Sequence, residues 1–136
     1  MSVMMNQAIS AYRKASTTVP PVTAVVMLYD EAINATQRAA EATETVRFEE
    51  AEEHMLRSVA ILRGLRQALD MEAGGAVAEQ LVTMYSRTIL ALTRTVGKPD
   101  AAARYRRLAE GLTEIRNAWA GMTTLHPRPM QAEAAE

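Results

Sequence analysis

The chain has 136 residues, no cysteine, and 15 Lys plus Arg against 16 Asp plus Glu, for a formal net charge of -1. That length suits one domain able to bury a core unaided, and the missing thiols exclude a disulfide framework, a thiolate nucleophile and a thiolate metal site. The charge balance excludes a global field toward nucleic acid or anionic lipid, and no apolar run approaches the roughly 20 residues that span a bilayer.

Ala, Leu, Met, Glu and Arg dominate while Phe and Trp occur once each, a balance that favours helix over sheet. The start, Met-Ser-Val-Met-Met-Asn-Gln, lacks the basic and long apolar regions of an export signal, so a cytoplasmic location is expected. The nine Met residues suit irregular core filling and adaptable binding surfaces alike.

In chain order, residues 4–14 predict a short helix with Met5, Ile9 and Tyr12 on one face. It is too short to stand alone and is ordered only if that face docks. A Ser/Thr-rich linker over 15–20 ends in two prolines, and Pro21 reads as the first residue of a helix over 21–42. There Val22, Val25, Tyr29 and Ala32 form one stripe, Val26 and Ile33 widen it, and Ala24, Leu28 and Ala35 add a second flank. That is more apolar surface than one packing face requires. Either the helix is central in a bundle, or part of it waits for another chain.

After a turn at 43–45, a third helix over 46–70 carries Phe48, Ala51, Met55, Ser58, Leu62, Leu65 and Leu69 at alternating spacings of three and four, widened by Leu56, Val59 and Ile61. Gly74 and Gly75 suit a left-handed turn into a fourth helix over 76–96. Two stripes recur there: Val77, Leu81, Met84, Thr88 and Ala91, then Val82, Tyr85, Ile89, Leu92 and Val96. Past Pro99, with Asp100 placed to cap, a fifth helix over 101–121 has a single seam of Ala101, Tyr105, Leu108, Leu112, Ile115, Trp119 and Met122. The short turns predict an all-α, antiparallel up-down four-helix bundle with a short N-terminal helix. One helical-bundle domain over 1–123 and a flexible tail over 124–136 follow.

Little in the chain carries chemistry. A bundle di-metal site needs two Glu-x-x-His pairs, but there are two histidines, and the Glu50 and His54 pair alone reads as a solvated face. No phosphate-binding loop precedes a helix, and no serine has a readable His-plus-carboxylate setting, so neither an enzyme nor a cofactor site is expected. Arg104, Arg106 and Arg107 read as a solvated face, and the run Glu49, Glu50, Glu52 and Glu53 as a complement to a helix dipole.

Four stretches resemble the flagellin export chaperone family, FliS, of bacterial flagellar assembly: Ile9-Ser-Ala-Tyr12; Pro21 followed by Met27-Leu28-Tyr29-Asp30-Glu31-Ala32; Leu69-Asp70-Met-Glu72-Ala-Gly74-Gly75-Ala-Val77-Ala78 leading to Leu81 and Met84-Tyr85; and Leu112-Thr-Glu-Ile115-Arg116-Asn-Ala118-Trp119. The resemblance implies a cytoplasmic, non-enzymatic chaperone of type III protein export that binds the disordered C-terminal segment of flagellin, prevents its premature polymerisation and delivers it to the membrane protein of the flagellar export gate. A co-chaperone or regulator is a further implied partner; nucleic acid and membrane insertion are not. In the family the N-terminal helix occupies part of the client surface and is tied to the gate, which points here to Ile9 and Tyr12. Leu28, Tyr29 and Ile33 are the first expected client contacts, followed by Leu56, Val59, Val82, Tyr85 and Ile89, each with ordinary core packing as the alternative. The main alternative function is a structural or signalling bundle that homodimerises through its spare apolar surface, and a second is a small-molecule or metal-binding bundle enzyme. Two features depart from the family: Pro20 stands where Ser or Thr precedes the helix-starting proline, and Tyr85 is followed by Ser-Arg-Thr-Ile-Leu-Ala instead of an aromatic and paired arginines.

Overall fold

Pro21 loses no hydrogen bond at the first position of a helix, and it opens the long helix around which the others pack. The computed structural model describes residues 3–12, 21–123 and 125–130. They form α1 (Val3–Ala11), α2 (Pro21–Glu44), α3 (Phe48–Gln67), α4 (Met71–Thr95) and α5 (Ala101–Ala120). No strand occurs among the described residues. The expected linker over 15–20, the last residues of the expected first helix, and positions 124 and 131–136 of the expected tail lie outside them.

On α2 the buried residues Val22, Val25, Val26, Tyr29, Ala32, Ile33, Thr36, Ala39 and Ala40 repeat at helical period, and Ala35 and Ala42 add the second flank. Large side chains fill the first half and alanines the second, so two helices come close on either side. α3 packs on one side of α2 and α5 on the other, α4 closes the ring between them, and α1 lies on α4. This is the all-helical bundle with a short N-terminal helix that the periodicity predicts. Where α2 meets α3, the Thr36 hydroxyl pairs with the Ser58 hydroxyl at 2.9 Å and donates to the Ala32 carbonyl at 2.8 Å.

The stripe Ala51, Met55, Ser58, Leu62 and Leu65 is buried along α3 as the spacing predicts, while Phe48 at its head is 64% exposed. On α4 the two expected stripes resolve into one oblique core row of Ala78, Leu81, Tyr85, Ile89 and Leu92. Asp70 caps α4 by accepting from the Ala73 N–H at 3.0 Å, and Gly75 (φ 53) kinks the chain before the main run of the helix. At the head of α5 the Asp100 side chain does not cap, as it was expected to; it binds Arg104 at 2.7 Å, which holds its carboxyl below the usual range.

The turn from α2 to α3 contains a conformational misfit. The Arg47 N–H bonds the Ala42 carbonyl at 2.7 Å and the Val46 N–H bonds the Thr43 carbonyl at 3.1 Å, the paired bonds of a Schellman helix end, whose left-handed position usually belongs to glycine. Here that position is Val46, at φ 59 and 69% exposed. A β-branched side chain is strained at such a φ and buries little there. Val46→Gly is therefore expected to stabilise the protein by about 0.5–1 kcal/mol, because relief of strain outweighs the added freedom of the unfolded chain. A urea midpoint unchanged or lowered in the variant would show that the turn carries no such strain.

Candidate protein-docking site

α1 has nine residues, below the length at which a helix is stable alone, so its order depends on its seat. Small residues make that seat. A methyl on Gly74 would lie 2.6 Å from the Ala78 Cβ and 2.9 Å from the Ala11 Cβ, so α1 approaches the backbone of α4 directly. The side-chain amide of Gln7 covers Gly75 in the same way. The last carbonyls of two helices are satisfied together here: the Asp70 N–H donates to the Ala11 carbonyl at 2.9 Å, and the Tyr12 hydroxyl donates to the Leu65 carbonyl at 2.9 Å. Beside this contact a cleft of about 330 Å³ lies among Met4, Met5, Val77, Leu81, Trp119 and Met122. Its thioethers are flexible enough to repack around different occupants. Val3 and Met4, on the outer side of α1, are 73% and 63% exposed.

Beneath α1 runs a chain of hydroxyls. Tyr12 and Tyr85 meet at 2.7 Å, as do Tyr85 and Tyr29, and the Trp119 indole lies beside the Tyr29 hydroxyl. Each hydroxyl has one proton and the indole can only donate. Because Tyr12 gives its proton to Leu65, Tyr85 must give its own to Tyr12, and Tyr29 must donate to Tyr85. The direction is thus fixed from Tyr29 through Tyr85 and Tyr12 to Leu65. The rings add an edge contact between Tyr12 and Trp119 at 5.5 Å and a tilted one between Tyr29 and Tyr85 at 6.2 Å.

Burial pushes the pKa of Tyr12, Tyr29 and Tyr85 far above the ordinary tyrosine value, and burial together with the nearby Glu52 carboxylate raises Tyr105. These are all four tyrosines of the chain. A folded-state pKa above the unfolded value of 10.0 gives stability that is fully present below pH 10 and lost as pH rises through the folded value. Phenolate absorbance is expected to stay flat past pH 10 and then rise together with loss of helix. A smooth titration near pH 10 in protein that stays helical would contradict the buried chain.

The expected contact residues separate into groups. Tyr12, Tyr29 and Tyr85 come together in the hydroxyl chain and, with Ile33, Val59 and Ile89, are buried in the core. Ile9 packs partly buried against it, and Val82 is half-buried. Leu28 and Leu56 are 40% and 50% exposed, and the neighbouring Met27 is 55% exposed. The accessible apolar surface of α2 and α3 is therefore Met27, Leu28 and Leu56, with Phe48 at the head of α3, while Tyr12, Tyr29 and Tyr85 are buried.

A polar cluster that periodicity did not reveal joins α2, α5 and residues 125–130. Arg116, buried on α5, holds both oxygens of Asp30 at 2.9 and 3.2 Å and donates to the His126 carbonyl at 2.6 Å. Asn117 clamps the backbone of Arg128 from both sides, accepting its N–H at 2.7 Å and donating to its carbonyl at 2.9 Å. The Arg128 side chain then reaches Asp30 at 3.1 Å and Asn34 at 2.5 Å. Part of the stretch expected to be a flexible tail is thus strapped across the bundle.

The protein-family comparison matches residues 4–125 to the model described as flagellar protein FliS. No match was found among the curated proteins compared.

Proposed function

Since the chain belongs to the flagellar protein FliS family, a family of flagellar chaperones, we propose that it is a cytoplasmic export chaperone that binds the disordered C-terminal segment of flagellin, prevents its premature polymerisation and hands it to the flagellar export gate. The observation that carries the reading is the seat of α1. It is a helix too short to hold itself, resting on glycine and alanine beside a methionine-lined cleft, which suits a cover that gives way to a client. An amphipathic client segment that orders on binding would bury its apolar side there and against Leu28 and Leu56, with no nucleotide or catalytic group required. Displacement of α1 would bare Ile9 and Tyr12 for the gate and open the way to Tyr29, Tyr85, Val82 and Ile89; Ile33 and Val59 would line the same side from within the core.

The test is calorimetric titration with a peptide of the last roughly 40 to 50 residues of flagellin from the same organism, long enough for two helices at about 1.5 Å per residue. One-to-one binding with a negative heat-capacity change is expected, as for burial of apolar surface. Gly74→Ala should raise the affinity about threefold to tenfold, because the added methyl pushes α1 off its seat and removes a competitor. An unchanged or weaker affinity from folded Gly74→Ala protein would remove α1 as the cover. No binding to the parent protein at tens of micromolar, with a mass that grows with concentration, would support the homodimerising bundle instead.

A further inference from the structure

On the half of the bundle away from α1, α4 and α5 pack less closely than their neighbours do and leave a groove of about 390 Å³. Arg87, Leu90 and Arg94 of α4 face Arg104, Arg107 and Leu108 of α5 across it, and no acidic residue lines it. Leu90 is 47% exposed and Leu108 partly buried, so the groove has an apolar floor between cationic walls. Arg104 is engaged by Asp100. Among the described residues, the guanidinium groups of Arg87, Arg94 and Arg107 make no hydrogen bond or ion pair. The charge is concentrated here: residues 86–108 contain six Lys and Arg against Asp100 alone, in a chain whose net charge is -1. Cations lined along one face repel one another, at a cost recovered when carboxylates enter between them.

We infer that this groove is a second docking site, whose occupant is an acidic amphipathic helix of another protein. Arg87 and Arg94 stand two turns apart on one face, roughly 10.5 Å along the axis at 1.5 Å per residue, a spacing that carboxylates two turns apart on a partner helix reproduce. Guanidinium groups grip carboxylates bidentately, while apolar anchors on the partner settle on Leu90 and Leu108. A nucleic-acid strand fits less well, since the lining offers no aromatic ring for bases to stack on and buries apolar surface that phosphates cannot use. The groove lies apart from the residues that seat α1, so this inference stands whether or not the flagellin reading does.

The probe is a fluorescein-labelled peptide of about 20 residues with Leu at i, i+3, i+4 and i+7 and Glu on both flanks, titrated against the full chain by anisotropy. A scrambled peptide of the same composition and a single-stranded oligonucleotide serve as comparisons. The helical probe should bind at least about tenfold more tightly than the scrambled one, with an affinity that falls as salt rises. Arg87→Glu with Arg94→Glu should weaken it at least about tenfold, and Leu90→Asp by a similar factor. All three residues are exposed, so helicity and melting temperature should match the parent protein. Equal binding of the scrambled peptide, unchanged binding by the variants, or tighter binding of the oligonucleotide at the same arginines would overturn the inference. Titration with the flagellin peptide is read separately, so either result leaves the other interpretable.

Discussion

Tyr85→Phe is expected to lower the free energy of unfolding by about 2–3 kcal/mol, a large share of the roughly 5–15 kcal/mol that holds a domain of this size. The ring still fills its place, so no cavity opens. What changes is polar: Tyr12 loses the proton it accepts and Tyr29 loses the acceptor for its own, both at 0% exposure. Removing one partner of a buried hydrogen bond costs more than the bond was worth, because the group left behind stays dehydrated. The loss should also reach α1, since Tyr12 follows directly on that helix and anchors it to Leu65. Amide exchange over residues 3–11 should therefore quicken more than exchange in α2. Tyr105→Phe is the control: that ring is buried, but its hydroxyl belongs to no such chain, and about 0.5 kcal/mol or less is expected. Equal effects of the two substitutions in urea unfolding would rule out the hydroxyl chain as a source of stability.

The second large effect is expected at Asp30. Asp30→Asn keeps the shape but leaves Arg116 and Arg128 facing one another without a carboxylate, and the Arg116 side chain is only 9% accessible. Breaking a buried ion pair from one side costs about 3–5 kcal/mol; the 30% exposure of Asp30 brings the expected loss to about 2 kcal/mol. Arg128→Ala alone should cost about 1 kcal/mol or less, since that side chain is partly wet. In the Asp30→Asn background the same change should cost little or restore stability, because it removes one of two like charges. A double-mutant cycle measures the difference, and additive losses would mean that Asp30 does not join the two arginines. Raising the salt concentration should narrow the gap between Arg128→Ala and the parent protein first.

Local periodicity made the helices legible, because each must turn an apolar row inward. Ala51, Met55, Ser58, Leu62 and Leu65 follow that arithmetic to the core. Phe48 follows the same arithmetic and stays exposed, because a row continues past the place where the neighbouring helices end. Surplus apolar surface was legible on α2 and α4, but its division was not. Tyr29 and Leu28 are adjacent in sequence, yet one is buried and the other 40% exposed, a choice made by the placement of α1 and α5. Arg116 was harder still. Its partner Asp30 lies 86 positions away and its other contacts come from residues past α5. A charged residue at a buried position is read from three dimensions; the only signal in one dimension was that Asp30 and Arg116 both stand in stretches resembling the same family. The α4–α5 groove likewise needed both helices in place, since Arg104 and Arg107 taken alone read as a solvated face.

The hydroxyl chain also bears on how the protein is made. Its links sit at positions 29, 85, 12 and 65, so no stretch shorter than residues 12–85 contains it whole. A chain that stops before α4 lacks Tyr85, the middle link, and a chain without its first dozen residues lacks the step to Leu65. Segments far apart in the chain are closed into one structure by the same protons. Removing any one link is therefore expected to loosen α1, α2 and α4 together.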